Sequence, residues 1–135
     1  MLRQLKLTDY NDFFNLISEF RNTNFSLSDY TSFLNEKKNL EIWVYEYDGL
    51  ICGTATLFIE QKFIHNMGKV GHIEDVIISD KYRGYGFGKN LIKFLIERGK
   101  NLECYKLVLT CNNNVKNFYT KCGFNDSGIN MDYRF

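Results

Sequence analysis

The residues best suited to chemistry form a glycine-rich run in the second half of the chain. The run is Arg83, Gly84, Tyr85, Gly86, Phe87, Gly88 and Lys89. Glycine tolerates positive φ angles and lets the backbone approach a ligand closely. The apolar spacing that follows indicates a helix, whose first N–H groups are unpaired and whose dipole is positive at that end. We therefore expect residues 83–89 to hold a phosphate or pyrophosphate group.

The spacing of the glycines distinguishes between three kinds of phosphate-binding loop. A P-loop ends in Gly-Lys-Ser/Thr, whereas Lys89 is followed by asparagine, and a dinucleotide loop has a wider final spacing than Gly84, Gly86 and Gly88. The third pattern, Arg/Gln-x-x-Gly-x-Gly/Ala, is satisfied by Arg83, Gly86 and Gly88. It resembles the loop that binds the acyl-CoA pyrophosphate in the GNAT superfamily of N-acetyltransferases. The structural alternative is a glycine-rich turn without a ligand.

A second segment, Asn112–Phe124, resembles a later motif of the same superfamily. In that motif an asparagine precedes a small apolar residue, and then come Phe-Tyr, Lys and Gly-Phe. The matching residues here are Asn114, Val115, Phe118, Tyr119, Lys121, Gly123 and Phe124. The order and separation of the two motifs also agree with the superfamily.

The elements that must position these residues follow from turn signals and apolar periodicity. Alternation predicts strands over Leu2–Leu7, Leu40–Tyr47, Leu50–Glu60, Gly71–Ile78, Lys106–Cys111 and Met131–Phe135. Helical spacing predicts helices over residues 10–21, after Ser26 or Ser28, over Phe87–Leu102 and along the face formed by Val115, Phe118, Tyr119 and Cys122. Asp48-Gly49 predicts a hairpin turn.

The order β-α-α-β-β-β-α-β-α-β predicts a mixed α/β layer structure, in one domain over residues 1–135. The superfamily resemblance further implies a mostly antiparallel sheet with helices on both faces and a splayed central strand pair.

Three short segments point to a narrower resemblance. Gly71–Val76 contains His-Ile-Glu-Asp, Cys104 is followed by Tyr105 and Lys106, and residues 118–124 were described above. From about Lys62 to Arg134 the chain resembles the glucosamine-6-phosphate N-acetyltransferases. This resemblance implies acetylation of the 2-amino group of glucosamine 6-phosphate by acetyl-CoA, on the way to UDP-N-acetylglucosamine. It also implies an intertwined homodimer.

The resemblance assigns roles to individual residues. Those implied to bind acetyl-CoA are Val76, Ile77, Ile78, Arg83, Gly84, Tyr85, Gly86, Phe87, Gly88, Lys89, Asn114, Tyr119 and Lys121. Those implied to bind the sugar phosphate are Lys62, Phe63, Ile64, His65, Glu74, Asp75, Tyr105, Lys106 and Arg134, the last reaching the partner's site. The catalytic residues are implied to be Glu74, Asp75 and Tyr119.

These residue types suit attack of an amine on a thioester. Glu74, the main-chain carbonyl near Asp75, or a water bound to them can accept a proton from the amine. A backbone N–H near Val76 can stabilise the oxyanion, and Tyr119 can protonate the departing thiolate. The phosphate needs cations, which lysine and arginine supply. No metal is expected, because the thioester is already activated.

Each of these residues also has a purely structural alternative. Taken alone, Tyr119 on an apolar helix face is a core tyrosine, and Glu74-Asp75 is a solvent-facing pair. Two positions depart from the family, because Thr110 replaces an acidic residue and Val115 replaces an asparagine. The alternatives for the whole chain are therefore a GNAT enzyme acting on another small-molecule or peptide amine, and a non-catalytic acyl-CoA-binding or dimerisation module.

Composition excludes several other classes of protein. Seventeen Lys and Arg against sixteen Asp and Glu, a net charge of +1, argue against nucleic-acid and polybasic membrane binding. Four cysteines without a C-x-x-C pair and two histidines argue against a metal site. The start of the chain is too charged for a signal peptide, and no apolar run is long enough to span a membrane. We expect a reduced, cytoplasmic protein.

Overall fold

The sheet has five strands whose spatial order is the same as their order along the chain. A computed structural model describes all 135 residues. Its strands are β1 (Leu2–Gln4), β2 (Leu40–Tyr47), β3 (Leu50–Gln61), β4 (Lys69–Ile78) and β5 (Cys104–Val108). All neighbouring strands are antiparallel except β4 and β5, which are parallel and therefore require a crossover connection.

Five helical segments connect or cover these strands. They are α1 (Tyr10–Phe20), α2 (Leu27–Glu36), α3 (Ile64–Met67), α4 (Phe87–Asn101) and α5 (Asn113–Lys121). Helix α4 is the crossover between β4 and β5, whereas α3 is a single turn in which His65, Asn66 and Met67 have positive φ angles. No helix is long and apolar enough to cross a membrane.

Helices cover both faces of the sheet and bury apolar side chains against it. On one face, Leu16 of α1 packs with Val44, Ile51 and Ile77. On the other face, three residues of α4, Leu91, Ile92 and Leu95, are fully buried against β3 and β4. The apolar stripe of α4 and the prediction of helices on both faces are therefore confirmed.

The structure also tests the predicted cap of α2 and the predicted hairpin turn. Ser26, rather than Ser28, caps α2, because its hydroxyl accepts the Asp29 N–H at 3.0 Å while the Asp29 carboxylate accepts the Ser26 N–H at 2.9 Å. Asp48 and Gly49 form the predicted two-residue hairpin turn, with φ angles of 52° and 74°.

The C-terminal strand prediction is wrong in this single chain. Residues 122–135 form no helix or strand, and the side chains of Met131, Tyr133 and Phe135 are exposed. A strand requires a neighbour that accepts and donates its backbone hydrogen bonds, and none lies beside Met131–Phe135. Strand β5 also ends at Val108 rather than at Cys111, because its pairing with β4 stops there.

A partly buried polar network joins α4 to the sheet at Glu41. Arg98 donates two hydrogen bonds of 2.6 and 3.0 Å to the two Glu41 carboxylate oxygens, and the Trp43 indole donates a third at 2.8 Å. Burial raises the pKa of Glu41, but the hydrogen bonds from Arg98 and Trp43 lower it more, so the net pKa lies below its usual value.

We predict that this network makes folding stability depend on pH in the acidic range. A carboxyl with a depressed folded-state pKa stabilises the fold above its unfolded pKa, and this contribution is lost as pH falls through the folded value. Glu41→Gln should lower the free energy of unfolding at pH 7 by about 1–2 kcal/mol. Its stability should also fall less steeply than that of the wild type between pH 5 and 3, measured by urea denaturation. Glu97→Gln is the matched control, because Glu97 is exposed and its ion pair with Lys100 is long, at 3.6 Å. Equal pH slopes for Glu41→Gln and the wild type would contradict the prediction.

Candidate active site

The splay between β4 and β5 opens a cleft in the sheet. The two strands pair from Lys69 to His72, and the last partners are His72 and Val108. Beyond this point they separate around a cleft of about 410 Å³. Its lining comes from β4, the segment after β5 and the start of α5, and consists of Ile73, Glu74, Asp75, Val76, Ile77, Ile78, Leu109, Thr110, Cys111, Asn112, Val115 and Tyr119, with Glu19, Phe20, Asp80 and Arg83 at its margin.

A β-bulge in β4 brings two acidic residues to this cleft in succession. Thr54 pairs with Ile77 and Thr56 pairs with Glu74, so one residue of β3 faces two residues of β4. Asp75 takes up the extra length with a φ of 51°, a left-handed conformation that is rare outside glycine. In a regular strand, alternate side chains point to opposite faces. The bulge therefore explains why Glu74 and Asp75 are both exposed and both line the cleft.

Asp75 also borders a second cavity, which lies on the side of the sheet covered by α1 and α2. This cavity has a volume of about 480 Å³ and a largely apolar lining from α1, α2 and β2. Its charged lining residues are Asp29 and Asp75, and no lysine, arginine or histidine contributes. The sequence carried no signal for this cavity, because its lining residues also fit an ordinary core.

The glycine run forms the connection between the cleft and α4. Gly84 and Gly86 have φ angles of 85° and 83°, and Gly86 is the N-cap of α4. Phe87 is buried in a cluster with Cys52 and Tyr82, which fixes the start of the helix. A Cβ atom at Gly88 would lie 3.4 Å from the Phe118 ring. Glycine therefore permits left-handed turns at two positions and close packing at the third.

Tyr119 faces the cleft and is more than half buried by its neighbours. Its ring packs against those of Phe118 and Phe124, with centroids 5.0 and 6.1 Å away. Burial raises the pKa of Tyr119 to about 12, with smaller contributions from Cys111 and Cys122. The hydroxyl makes no hydrogen bond within the chain, so it is a protonated donor at the cleft wall.

Helix α5 fits the predicted motif only in part. Asn112 caps the helix, because its side-chain oxygen accepts the Asn114 N–H at 3.0 Å. Val115 is 43% exposed and lines the cleft beside Tyr119, whereas Phe118, Tyr119 and Cys122 of the same face pack against the core. The side chains of Asn114 and Lys121 are exposed and outside the cleft lining, as are those of Tyr85 and Lys89. Their roles in binding acetyl-CoA stay predictions.

Six of the residues implied to bind the sugar phosphate lie outside the cleft, near the other end of β4: Lys62, Phe63, Ile64, His65, Tyr105 and Lys106. His65 stacks on Tyr105 with ring centroids 4.2 Å apart, and Lys62 pairs with Glu60 at 3.1 Å. The Glu60 carboxylate also accepts a hydrogen bond from the His72 ring at 2.9 Å, and His72 lies two residues, or about 7 Å along the strand, before Glu74. Phe63 and Ile64 are exposed in the same turn, and Lys106 is exposed on β5.

Arg134 lies in the exposed C-terminal segment, where it pairs with Asp132 at 3.1 Å. The cleft of a single chain therefore contains Glu74, Asp75 and Tyr119 but none of Lys62, Lys106 and Arg134. Nowhere in the chain do three metal-binding side chains of His, Cys, Asp or Glu form a group.

Comparisons with known proteins agree with this architecture. The model of the acetyltransferase (GNAT) family matches residues 10–124. The glucosamine 6-phosphate N-acetyltransferase of Candida albicans is 35% identical over 98% of this chain and 94% of its own length. The Arabidopsis thaliana protein of the same name is 42% identical over 67% of this chain, an alignment that spans only 60% of the relative.

Solved structures extend the likeness to the whole chain. The crystal structure of the Arabidopsis glucosamine-6-phosphate N-acetyltransferase superposes with a TM-score of 0.92 at 32% identity, covering 100% of this chain and 97% of that one. An acetyltransferase of Trypanosoma brucei gives the same TM-score at 30% identity, covering 100% and 99%. The α/β fold with its splayed strand pair is therefore confirmed, and the chain belongs to the acetyltransferase (GNAT) family, in the branch that contains the glucosamine 6-phosphate N-acetyltransferases.

Proposed function

We propose that this protein transfers the acetyl group of acetyl-CoA to the 2-amino group of glucosamine 6-phosphate. The observation that carries the proposal is the bulge that turns both Glu74 and Asp75 to a cleft beginning beside the glycine loop. A near full-length relative from Candida albicans is named for this reaction. The product, N-acetylglucosamine 6-phosphate, is on the way to UDP-N-acetylglucosamine, and we assign the protein to that route in the cytoplasm.

The cleft and the glycine loop suit two parts of acetyl-CoA, its pantetheine arm and its pyrophosphate. From Ile73 to Ile78, the side of β4 that faces away from β3 has no strand partner, so its N–H and C=O groups can pair with the amides of the pantetheine arm. The pyrophosphate would lie on residues 84–89, where the N–H groups of the first turn of α4 are free. Acetyl-CoA acts here as a co-substrate that is consumed in each turnover.

The reaction requires one proton to leave the amine and one to reach the sulfur. Glu74, directly or through a water, accepts the proton of the amine as its nitrogen bonds to the thioester carbon. Backbone N–H groups at the Asp75 bulge stabilise the oxyanion that forms. The C–S bond then breaks, and the Tyr119 hydroxyl donates its proton to the thiolate. Tyr119 then takes a proton from solvent and Glu74 releases one to it, which restores both groups. The raised pKa of Tyr119 keeps its proton in place until the thiolate forms.

The phosphate group argues for a homodimer. Arg83, at the loop margin, is the only lysine or arginine that lines the cleft or the adjoining cavity, whereas Lys62, Lys106 and Arg134 lie elsewhere. β5 is an edge strand, and the C-terminal segment exposes four apolar side chains, Ile129, Met131, Tyr133 and Phe135, in alternation. Alternation suits a strand that packs one face on a partner. We propose that this segment pairs with a second copy and brings Arg134 to the partner's acceptor site.

One observation favours a different acceptor. The cavity bordered by Asp75 has a largely apolar lining with two carboxylates and no cation, which suits an amine carried on an apolar group better than a sugar phosphate. A GNAT enzyme for such an amine is therefore the second candidate.

The proposed reaction predicts a clear difference between acceptors. Purified protein with acetyl-CoA should release CoA rapidly with glucosamine 6-phosphate, and at least tenfold more slowly at equal concentration with glucosamine, which lacks the phosphate. CoA release is followed with a thiol reagent, and 2-phenylethylamine represents the apolar amines. Turnover of 2-phenylethylamine without turnover of glucosamine 6-phosphate would replace the first candidate by the second, and acetyl-CoA binding without any turnover would favour a non-catalytic module.

The second prediction concerns Tyr119. Tyr119→Phe should lower kcat about 10- to 100-fold while the Kd for acetyl-CoA changes less than twofold, since only a proton donor is removed. Because the pKa of Tyr119 is about 12, the ratio of wild-type to variant rates should be constant from pH 7 to 9.5. Tyr47→Phe is the control, because Tyr47 lies outside the cleft and its hydroxyl has no hydrogen bond. A rate unchanged by Tyr119→Phe would remove this residue from the mechanism.

The third prediction tests the shared site. Co-expression of differently tagged Tyr119→Phe and Arg134→Ala chains should yield heterodimers in which one of the two sites carries neither substitution. If dimers form at random, the mixture should therefore regain about a quarter of wild-type kcat. Each variant alone should be poorly active, Arg134→Ala through a raised KM for the sugar phosphate. A mixture whose activity is only the mean of the two variants, or a monomer by sedimentation, would contradict the shared site.

A further inference from the structure

Glu19, in the last turn of α1, makes an unusual set of contacts with the strand-to-loop junction. Its carboxylate accepts hydrogen bonds from the Ser79 hydroxyl, at 3.0 and 3.1 Å, and from the Asp80 N–H at 3.2 Å. Ser79 and Asp80 lie directly after β4, sixty residues away in sequence. Glu19 also borders the cleft. Sequence reasoning did not single out this residue, because a glutamate near a helix end is ordinary.

The contact acts as a helix cap supplied from another element. Ser79 is the N-cap of the 3₁₀ turn Asp80–Tyr82, but its own side chain caps nothing. Helical turns leave their first N–H groups unpaired, and a side-chain oxygen normally accepts one of them. Here the Glu19 carboxylate accepts the Asp80 N–H, while the backbone N–H of Ser79 donates to the Cys52 carbonyl at 2.8 Å. The turn is thereby attached both to the sheet and to α1.

The glycine loop that follows has few other polar restraints, although the Tyr85 ring packs against those of Tyr82 and Phe87. Gly84 and Gly86 have no atom within 4 Å of the position that a Cβ would occupy, and residues 83–86 are all exposed. The Arg83–Asp80 ion pair has both side chains at least 70% exposed, so it contributes little. Restraint at the start of the loop therefore comes from the buried Tyr82 ring and from the turn that Glu19 caps.

We propose that Glu19 is a positioning residue for the coenzyme loop, acting through Ser79 and Asp80 rather than by touching acetyl-CoA. A carboxylate beside a pyrophosphate repels it, so Glu19 is unsuited to be a coenzyme ligand. Its value lies in hydrogen-bond acceptance, which fixes the direction in which the chain leaves β4. The inference rests on the acetyl-CoA binding proposed above and is independent of the acceptor.

The test measures coenzyme and acceptor parameters separately. Glu19→Ala should raise both the Kd and the KM for acetyl-CoA about tenfold. The Kd is measured by calorimetry without acceptor. The kcat and the KM for glucosamine 6-phosphate should change less than twofold. Glu19→Gln should restore near wild-type values, because its amide oxygen still accepts both hydrogen bonds. Asp12→Ala is the matched control, since it removes the same charge from the same helix at an exposed residue whose side chain makes no hydrogen bond or ion pair.

Ser79→Ala provides a second, milder variant in case Glu19→Ala folds poorly. It should raise the Kd for acetyl-CoA about threefold in the wild-type background and have no further effect in Glu19→Ala, because the two groups form one interaction. An unchanged Kd in both variants, or a Glu19→Gln variant as weak as Glu19→Ala, would overturn the proposal. If the wild type itself does not bind acetyl-CoA, the proposed function fails with it; if it binds normally, only the role of Glu19 is at stake.

Discussion

The functional features of this protein depend on β4 keeping one neighbour while losing the other. Near Lys69, β4 is held tightly to β5, because a Cβ at Gly71 would lie 2.4 Å from a Leu107 methyl group and one at Gly99 of α4 would lie 2.7 Å from it. Beyond His72 the pairing with β5 ends, while pairing with β3 continues to Ile78. One strand therefore provides both a close-packed anchor and an open edge.

The open edge has the geometry that thioester chemistry needs. Backbone groups freed by the splay would in any other setting be a liability, because unpaired buried amides are costly. Here they face a cleft that a pantetheine arm can fill. The bulge at Asp75 places two carboxylates, those of Glu74 and Asp75, in the lining of the same cleft. The positive φ of Asp75 is unfavourable by about 1–2 kcal/mol. The pairing of β4 with β3 and the burial of Ile73 against α4 hold that conformation.

Features with local causes could be predicted from the sequence, whereas features that depend on distant contacts could not. The glycine loop, the Asp48-Gly49 turn and the stripe of α4 were predictable because turn chemistry and apolar period act within a few residues. The bulge was visible only as two consecutive acidic residues in a strand, which a surface strand also permits. The strand over Met131–Phe135 had the right alternation but no partner, and the contact of Glu19 joins residues sixty positions apart.

The distribution of charge along β4 has a consequence for assembly. Acidic residues occupy the open end, at Glu74 and Asp75, while Lys106 pairs with Val70 at the close-packed end, four residues or about 13 Å away along the strand. Neither Lys62 nor Lys106 lines the cleft. The near-neutral net charge of +1 therefore conceals two separated regions of opposite sign. Two copies related by a twofold axis can bring unlike regions together, and this is the physical reason for our proposal that two chains build the acceptor site jointly.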